Sequence, residues 1–358
     1  MKKALNYTLS MLFGVALGLS IVLTSNLAEL ADESFLLFFA AYLGYAVLAA
    51  LIYFASTLLH EAGHLIFGLL TGYGFVSFRV GNLMLVRTSD GLRFRRFSLA
   101  GTGGQCLLSP PERPDGKKPV HLYNLGGVIM NMILAVGFFA LFLRFGGTFF
   151  ILVFLINAFM ALRNGIPSSL GGVPNDGANG VSMLRDERSI DALWLQLRVN
   201  RAQMEGLRLR DMPDEWFTLE GDMENALFTS CYVFRENRAL DMHDFEAAEK
   251  LCDELLAKKI IELYRMYLMC DKLFLSALRG EAEEKFLDFN YFKAFLKQPV
   301  ISAARTNYAV ARLVTFDEAE AQRSLEVFEK IAKSYPAAGD IALERELIDE
   351  INRKEVQK

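Results

Sequence analysis

Uncharged apolar runs crowd into the first 175 residues of the chain, and charge-rich sequence takes over from about residue 185. Four of these runs come near the ~20 residues a helix needs to cross a bilayer. They lie at roughly 7–25, 35–58, 122–143 and 148–163. The second begins with Phe35–Tyr53, which carries no charge. Between the second and third runs the pattern shortens. Phe75–Val80 alternates, Leu83–Arg87 is apolar and β-rich, and Leu92–Leu99 alternates again, with a turn signal at Ser89-Asp90-Gly91. Two or three short strands are expected there. Gly101–Gly104 and the proline-rich Ser109–Pro119 read as loop.

In the charged half, turn-like points recur at His243, Arg279 and Thr315, 36 residues apart. The helix beginning Phe245-Glu-Ala-Ala-Glu reads like the one beginning Phe316-Asp-Glu-Ala-Glu. The period and the small residues Ala247, Ala248 and Ala321 resemble tetratricopeptide helix pairs, arrays that bind a peptide or protein partner. The expected fold is therefore mainly α. It comprises a polytopic helical core over 1–180 with a β/loop insert at 73–121, a helical linker over 181–221, and a soluble helical-repeat domain over 222–358.

Composition sharpens this picture in three places. A formal net charge of −4 gives no reason to expect a nucleic-acid partner. Cys106, Cys231, Cys252 and Cys270 form no CxxC pair, so they read as small buried hydrophobes. Basic residues set the orientation. Lys2 and Lys3 precede the first run, an acidic connector follows it, and eight Lys/Arg residues lie in 73–121. The N-terminus, the insert and the repeat half are thus expected in the cytoplasm of a multi-pass protein, with the plasma membrane the expected site. Met1-Lys2-Lys3 and its apolar run lack a good cleavage site and read as an uncleaved first span.

Candidate chemistry centres on His60-Glu61-Ala62-Gly63-His64, which runs out of the second apolar stretch. Histidines four apart share one helix face, where they can grip one zinc ion. Glu61 projects close to the same face, where a carboxylate can take a proton from water. The bland alternative is two histidines snorkelling at a membrane interface. Ionisable groups at that depth are more often functional. A third ligand is needed. Asp176 follows the fourth run in a Pro- and Gly-rich stretch that can turn back toward the membrane face. Asn175-Asp176-Gly177 also reads as a plain turn before the next helix, and the residues alone leave both open.

HExxH at the end of a span, with Asn164-x-x-Pro167 … Asp176-Gly177 after a later one, resembles the site-2 protease family of intramembrane zinc metalloproteases. The resemblance covers roughly 35–180. It implies Zn²⁺ held by His60, His64 and Asp176, Glu61 as general base, and cleavage of membrane-embedded or membrane-proximal segments. Gly126-Gly127-Val-Ile-Met-Asn131 resembles the family's Gly-Gly-Pro-x-x-Asn element, which assigns Asn131 to the substrate carbonyl or oxyanion. Asn164 matches the Asn of the last motif and is expected to fix the active-site loop or substrate. Two departures stand out. Pro167 and Asp176 are separated by eight residues where four are usual, and Val128 replaces proline. The expected function is a zinc endopeptidase acting on membrane proteins or peptides. The rival is a catalytically degenerate zinc-binding scaffold working through its repeats.

Overall fold

The computed structural model describes residues 2–88, 91–97, 102–112, 118–170, 173–281 and 289–356. Helices α1 (Lys2–Thr24), α2 (Leu27–Glu33) and α3 (Phe35–Leu70) come first, and α4 (Val120–Phe145) and α5 (Thr148–Gly165) follow the insert. Of these, α1, α3, α4 and α5 are long and apolar enough to cross a membrane. The apolar run of α3 does not stop at the His-Glu motif. The helix continues to Leu70, 36 residues in all. At 1.5 Å per residue that is about 54 Å, well beyond the ~30 Å of a bilayer's hydrocarbon core. The buried face of α3 repeats every three to four residues, through Ala49, Ile52, Ser56, His60, His64 and Gly68. It meets α4 at a point where backbone touches backbone. A Cβ on Gly63 would lie 2.4 Å from the Gly126 carbonyl oxygen, so only glycine permits this approach. Ile21, Ile52, Leu152, Val153 and Ile156 close the core between α1, α3 and α5.

The insert holds four strands, β1 (Gly74–Val80), β2 (Leu83–Thr88), β3 (Gly91–Arg96) and β4 (Gly104–Ser109), in the antiparallel order β3-β2-β1-β4. The fourth was not expected. Its apolar content is only Cys106-Leu107-Leu108, squeezed between glycine- and proline-rich stretches. It becomes a strand by pairing with β1, Phe78 opposite Cys106, and by packing along α3. It is therefore an edge strand set beside the histidine helix.

A two-stranded hairpin of β5 (Ser169–Leu170) and β6 (Val173–Pro174) precedes α6 (Asp176–Arg185) and α7 (Arg188–Met204). Then come α8 (Ala226–Asp241), α9 (Phe245–Leu256), α10 (Glu262–Leu278), α11 (Asn290–Leu296), α12 (Ile301–Val310), α13 (Glu318–Ala332) and α14 (Ala338–Val356). The stretch read as a linker carries Ala192, Leu193, Trp194 and Leu197 into one core with the insert's Tyr73, Leu107 and Leu108 and with Leu227 and Phe228 of α8. Left-handed residues at His243, Gly280 and Phe316 recur at intervals of 37 and 36. Asp244 and Asp317 cap the helices that follow the first and last of these. The caps equate Asp244 with Asp317, so the sequence alignment of Phe245 with Phe316 shifts by two. The segment just after the middle point, 282–288, lies outside the described residues.

Candidate metal centre

His60 and His64 sit one turn apart on α3, with 6% and 9% of their surfaces exposed. Each ring is fixed from behind. The Nδ1 of His64 lies 2.8 Å from the backbone carbonyl of Tyr123. A carbonyl only accepts, so that Nδ1 carries the hydrogen and Nε2 is bare. The Nδ1 of His60 lies 2.6 Å from Oδ1 of Asn131, and with that oxygen accepting, its Nε2 is bare as well. The two Nε2 atoms are 3.3 Å apart, and Asp176 Oδ2 lies 3.4 Å from one and 3.5 Å from the other. Three lone pairs thus converge with no hydrogen to share between them. Donors at 2.0–2.2 Å from a tetrahedral zinc stand about 3.3–3.6 Å from one another, which is this spacing. Asp176 Oδ2 is buried and has no hydrogen-bond partner. A Cβ on Gly127 would fall 2.5 Å from both Nε2 atoms, so a glycine keeps this space open. The residues fit a zinc ion.

Asp176 reaches the histidines because of how α5 ends. Between Pro167 and Asp176 the strands β5 and β6 pair, Ser169 opposite Pro174 and Leu170 opposite Val173. That hairpin closes on itself: the N–H of Asn175 donates to the Ser168 carbonyl, 3.0 Å away. The excursion therefore leaves and rejoins the chain at one place. Asn175 then holds the junction. Its Nδ2 donates to the carbonyls of Arg163 and Ile166 at 2.7 Å each, and its Oδ1 accepts from the N–H groups of Ser168 and Ala178. Asn124 donates to the Asp176 carbonyl at 2.8 Å.

Glu61 is buried and faces a cavity of about 320 Å³ that it shares with the three ligand residues. Gly103, Gly104 and Gln105 supply one wall, and Arg163, Asn164 and Asn179 line it as well. Arg79, fully buried under this wall, donates to the carbonyls of Gly81 and Gly104 and to the Thr102 hydroxyl. Its burial lowers its pKa, and the nearby Glu61 carboxylate opposes that shift.

The structure therefore brings His60, His64, Asp176 and Glu61 together. Asn164 lines the cavity, with its Nδ2 donating to the Met160 carbonyl. The junction after α5 is held by Asn175, whose side-chain hydrogen bonds converge there. Asn131 is placed differently from its expected role. It is fully buried, and its amide is engaged by His60 on one side and Asn157 on the other. It backs His60 and does not line the cavity. Arg79, Tyr123 and Asn175 were missed. A basic residue at an inward position of an alternating strand was the available sign for Arg79. The Tyr123 contact runs through a backbone carbonyl and leaves no trace in sequence. No protein-family model, characterised protein or solved structure matches this chain, so the family likeness rests on the site residues alone.

Proposed function

We propose that this protein is an intramembrane zinc endopeptidase of the site-2 protease type. The observation that carries the reading is the 3.3–3.5 Å triangle of lone pairs from His60, His64 and Asp176, set beside Glu61 in one cavity. His60, His64 and Asp176 would hold a Zn²⁺ there, which would supply Lewis acidity to the scissile carbonyl and to water. Glu61 takes the proton of the attacking water and passes it to the leaving amine, so the peptide bond is exchanged for a carboxylate and an amine. The edge strand β4 begins in the cavity wall, at Gly104 and Gln105. An extended peptide added there as a further strand would lay its carbonyls along the site. A transmembrane substrate must unwind first, because helical hydrogen bonds occupy its carbonyls.

The supporting context is the four apolar helices and the basic insert, which favour a multi-pass protein with the insert and helical half in the cytoplasm. The helical half then recruits a protein partner or regulates access. The test is co-reconstitution with single-span membrane proteins, with fragments identified by mass spectrometry. Wild type should release fragments. Glu61→Gln should keep its metal yet cut slower by several orders of magnitude, because an amide accepts no proton. Equal cutting by both proteins would contradict the proposal.

A further inference from the structure

His60 is one end of a line of polar groups that crosses three apolar helices. On α5, Asn157 donates its Nδ2 hydrogens to the Val153 carbonyl at 2.9 Å and to Ser56 Oγ on α3 at 3.0 Å. On α4, Asn131 donates Nδ2 to Asn157 Oδ1 at 2.8 Å and turns its own Oδ1 to His60 Nδ1 at 2.6 Å. Ser56, Asn131 and Asn157 are 2%, 0% and 1% exposed. Ser56 lies one turn before His60 on the same face. Such groups are costly to bury among apolar helices unless every one is paired, and here the main donors and acceptors are.

The order of these bonds has a direction. A side-chain amide can present either its oxygen or its NH₂, so Asn131 alone does not decide what His60 meets. The Val153 carbonyl does decide, because it can only accept. It requires the NH₂ of Asn157, which turns the Asn157 oxygen toward Asn131. That oxygen requires the NH₂ of Asn131, which turns the Asn131 oxygen toward His60. An oxygen there requires hydrogen on Nδ1, and Nε2 is left bare toward Asp176 and His64.

We propose that Asn157, oriented by the Val153 carbonyl and Ser56, is a positioning residue that sets the tautomer of His60 through Asn131. Without it Asn131 is free to flip, and His60 can then carry its hydrogen on Nε2, where it blocks metal ligation. The inference rests on the zinc reading above. The test is zinc affinity of the full-length, detergent-purified protein by competition with a chromophoric chelator. Asn157→Leu is measured in two backgrounds, wild type and Asn131→Asp, because a carboxylate accepts from Nδ1 whichever way it turns. In the wild-type background Asn157→Leu should weaken zinc binding by about tenfold or more, the range for outer ligand partners. In the Asn131→Asp background it should change affinity little. An unchanged affinity in the first background, or an equal loss in both, overturns the proposal. A purely structural role predicts the equal loss. Should leucine prevent folding, Asn157→Ala is read in the same two backgrounds. If the wild type takes up no zinc, it is the metal reading that fails, and nitrogen NMR of His60 tests the relay alone. Hydrogen on Nδ1 in wild type, moving to Nε2 in Asn157→Leu, supports it. Hydrogen on Nε2 in wild type overturns it.

Discussion

A missing side chain shapes the centre as much as the ligands do. Gly127 faces the two Nε2 atoms across a space that a methyl group would occupy. Gly127→Ala improves the intrinsic helix propensity of α4 by up to ~1 kcal/mol, yet it should push the rings apart and remove the metal. The expected outcome is a protein that retains helical circular dichroism but binds less than a tenth of the wild-type zinc at equal chelator. Full zinc occupancy in this variant would show that the space is not the ligand position. Four residues of this site, His60, Glu61, His64 and Asp176, were readable in the sequence, the first three by spacing and the last through family likeness. Their supports were harder to read. Ser56 and Asn157 are polar residues in apolar runs, a visible sign, but which partner each meets depends on how three helices pack. Nothing local to Asn131 distinguishes a group facing substrate from one facing His60.

At the scale of elements, the junction between α5 and α6 is the part on which the position of Asp176 depends. Asn175 caps α6 and ties the end of α5 to the start of the hairpin. Loss of a cap costs roughly 1 kcal/mol, and here the released carbonyls of Arg163 and Ile166 add to that. Asn175→Ala should therefore weaken zinc binding by about tenfold while Glu61 and the histidines stay in place. Chelator competition checks this, and an unchanged affinity would mean that Asp176 is held by other contacts. The extra residues before Asp176 posed a spacing problem in sequence that the hairpin resolves, since sequence separation says nothing about a chain that returns to its start. The long apolar helices were legible from hydropathy. Strand β4 was not, because a strand of three apolar residues is defined by its neighbour β1 more than by its own pattern. The 36-residue spacing has a partial counterpart in the backbone, where left-handed residues and capping aspartates mark its first and last points.

Taken whole, the molecule joins a helical core to a charged half whose interior holds an unusual surplus of acid. Arg305 meets Asp271 and Glu344, with Glu236 buried beside them. Burial, with the neighbouring acids adding to it, pushes Glu344 and Asp340 up to about 7. Their folded pKa values exceed the unfolded ones near 4, so the folded state binds more protons than the unfolded state between about pH 4 and 7. Stability from these groups is present at the acid end and lost as pH rises through 7. The opposite contribution comes from Glu346, which Arg208 and its neighbours hold down to about 2, and it is lost only below about pH 4.5. Melting of the purified protein should therefore occur at higher temperature at pH 5.5 than at pH 8. The difference should shrink in a Glu344→Gln, Asp340→Asn double variant. A melting temperature that rises from pH 5.5 to 8 in the wild type would contradict this. The proposed metal centre is tested most directly by metal analysis of the purified full-length chain. One zinc per chain is expected in wild type and in Glu61→Gln, with loss in His60→Ala, His64→Ala and Asp176→Ala. A wild type without zinc, or an Asp176→Ala variant that keeps a full equivalent, would contradict the three-residue metal centre.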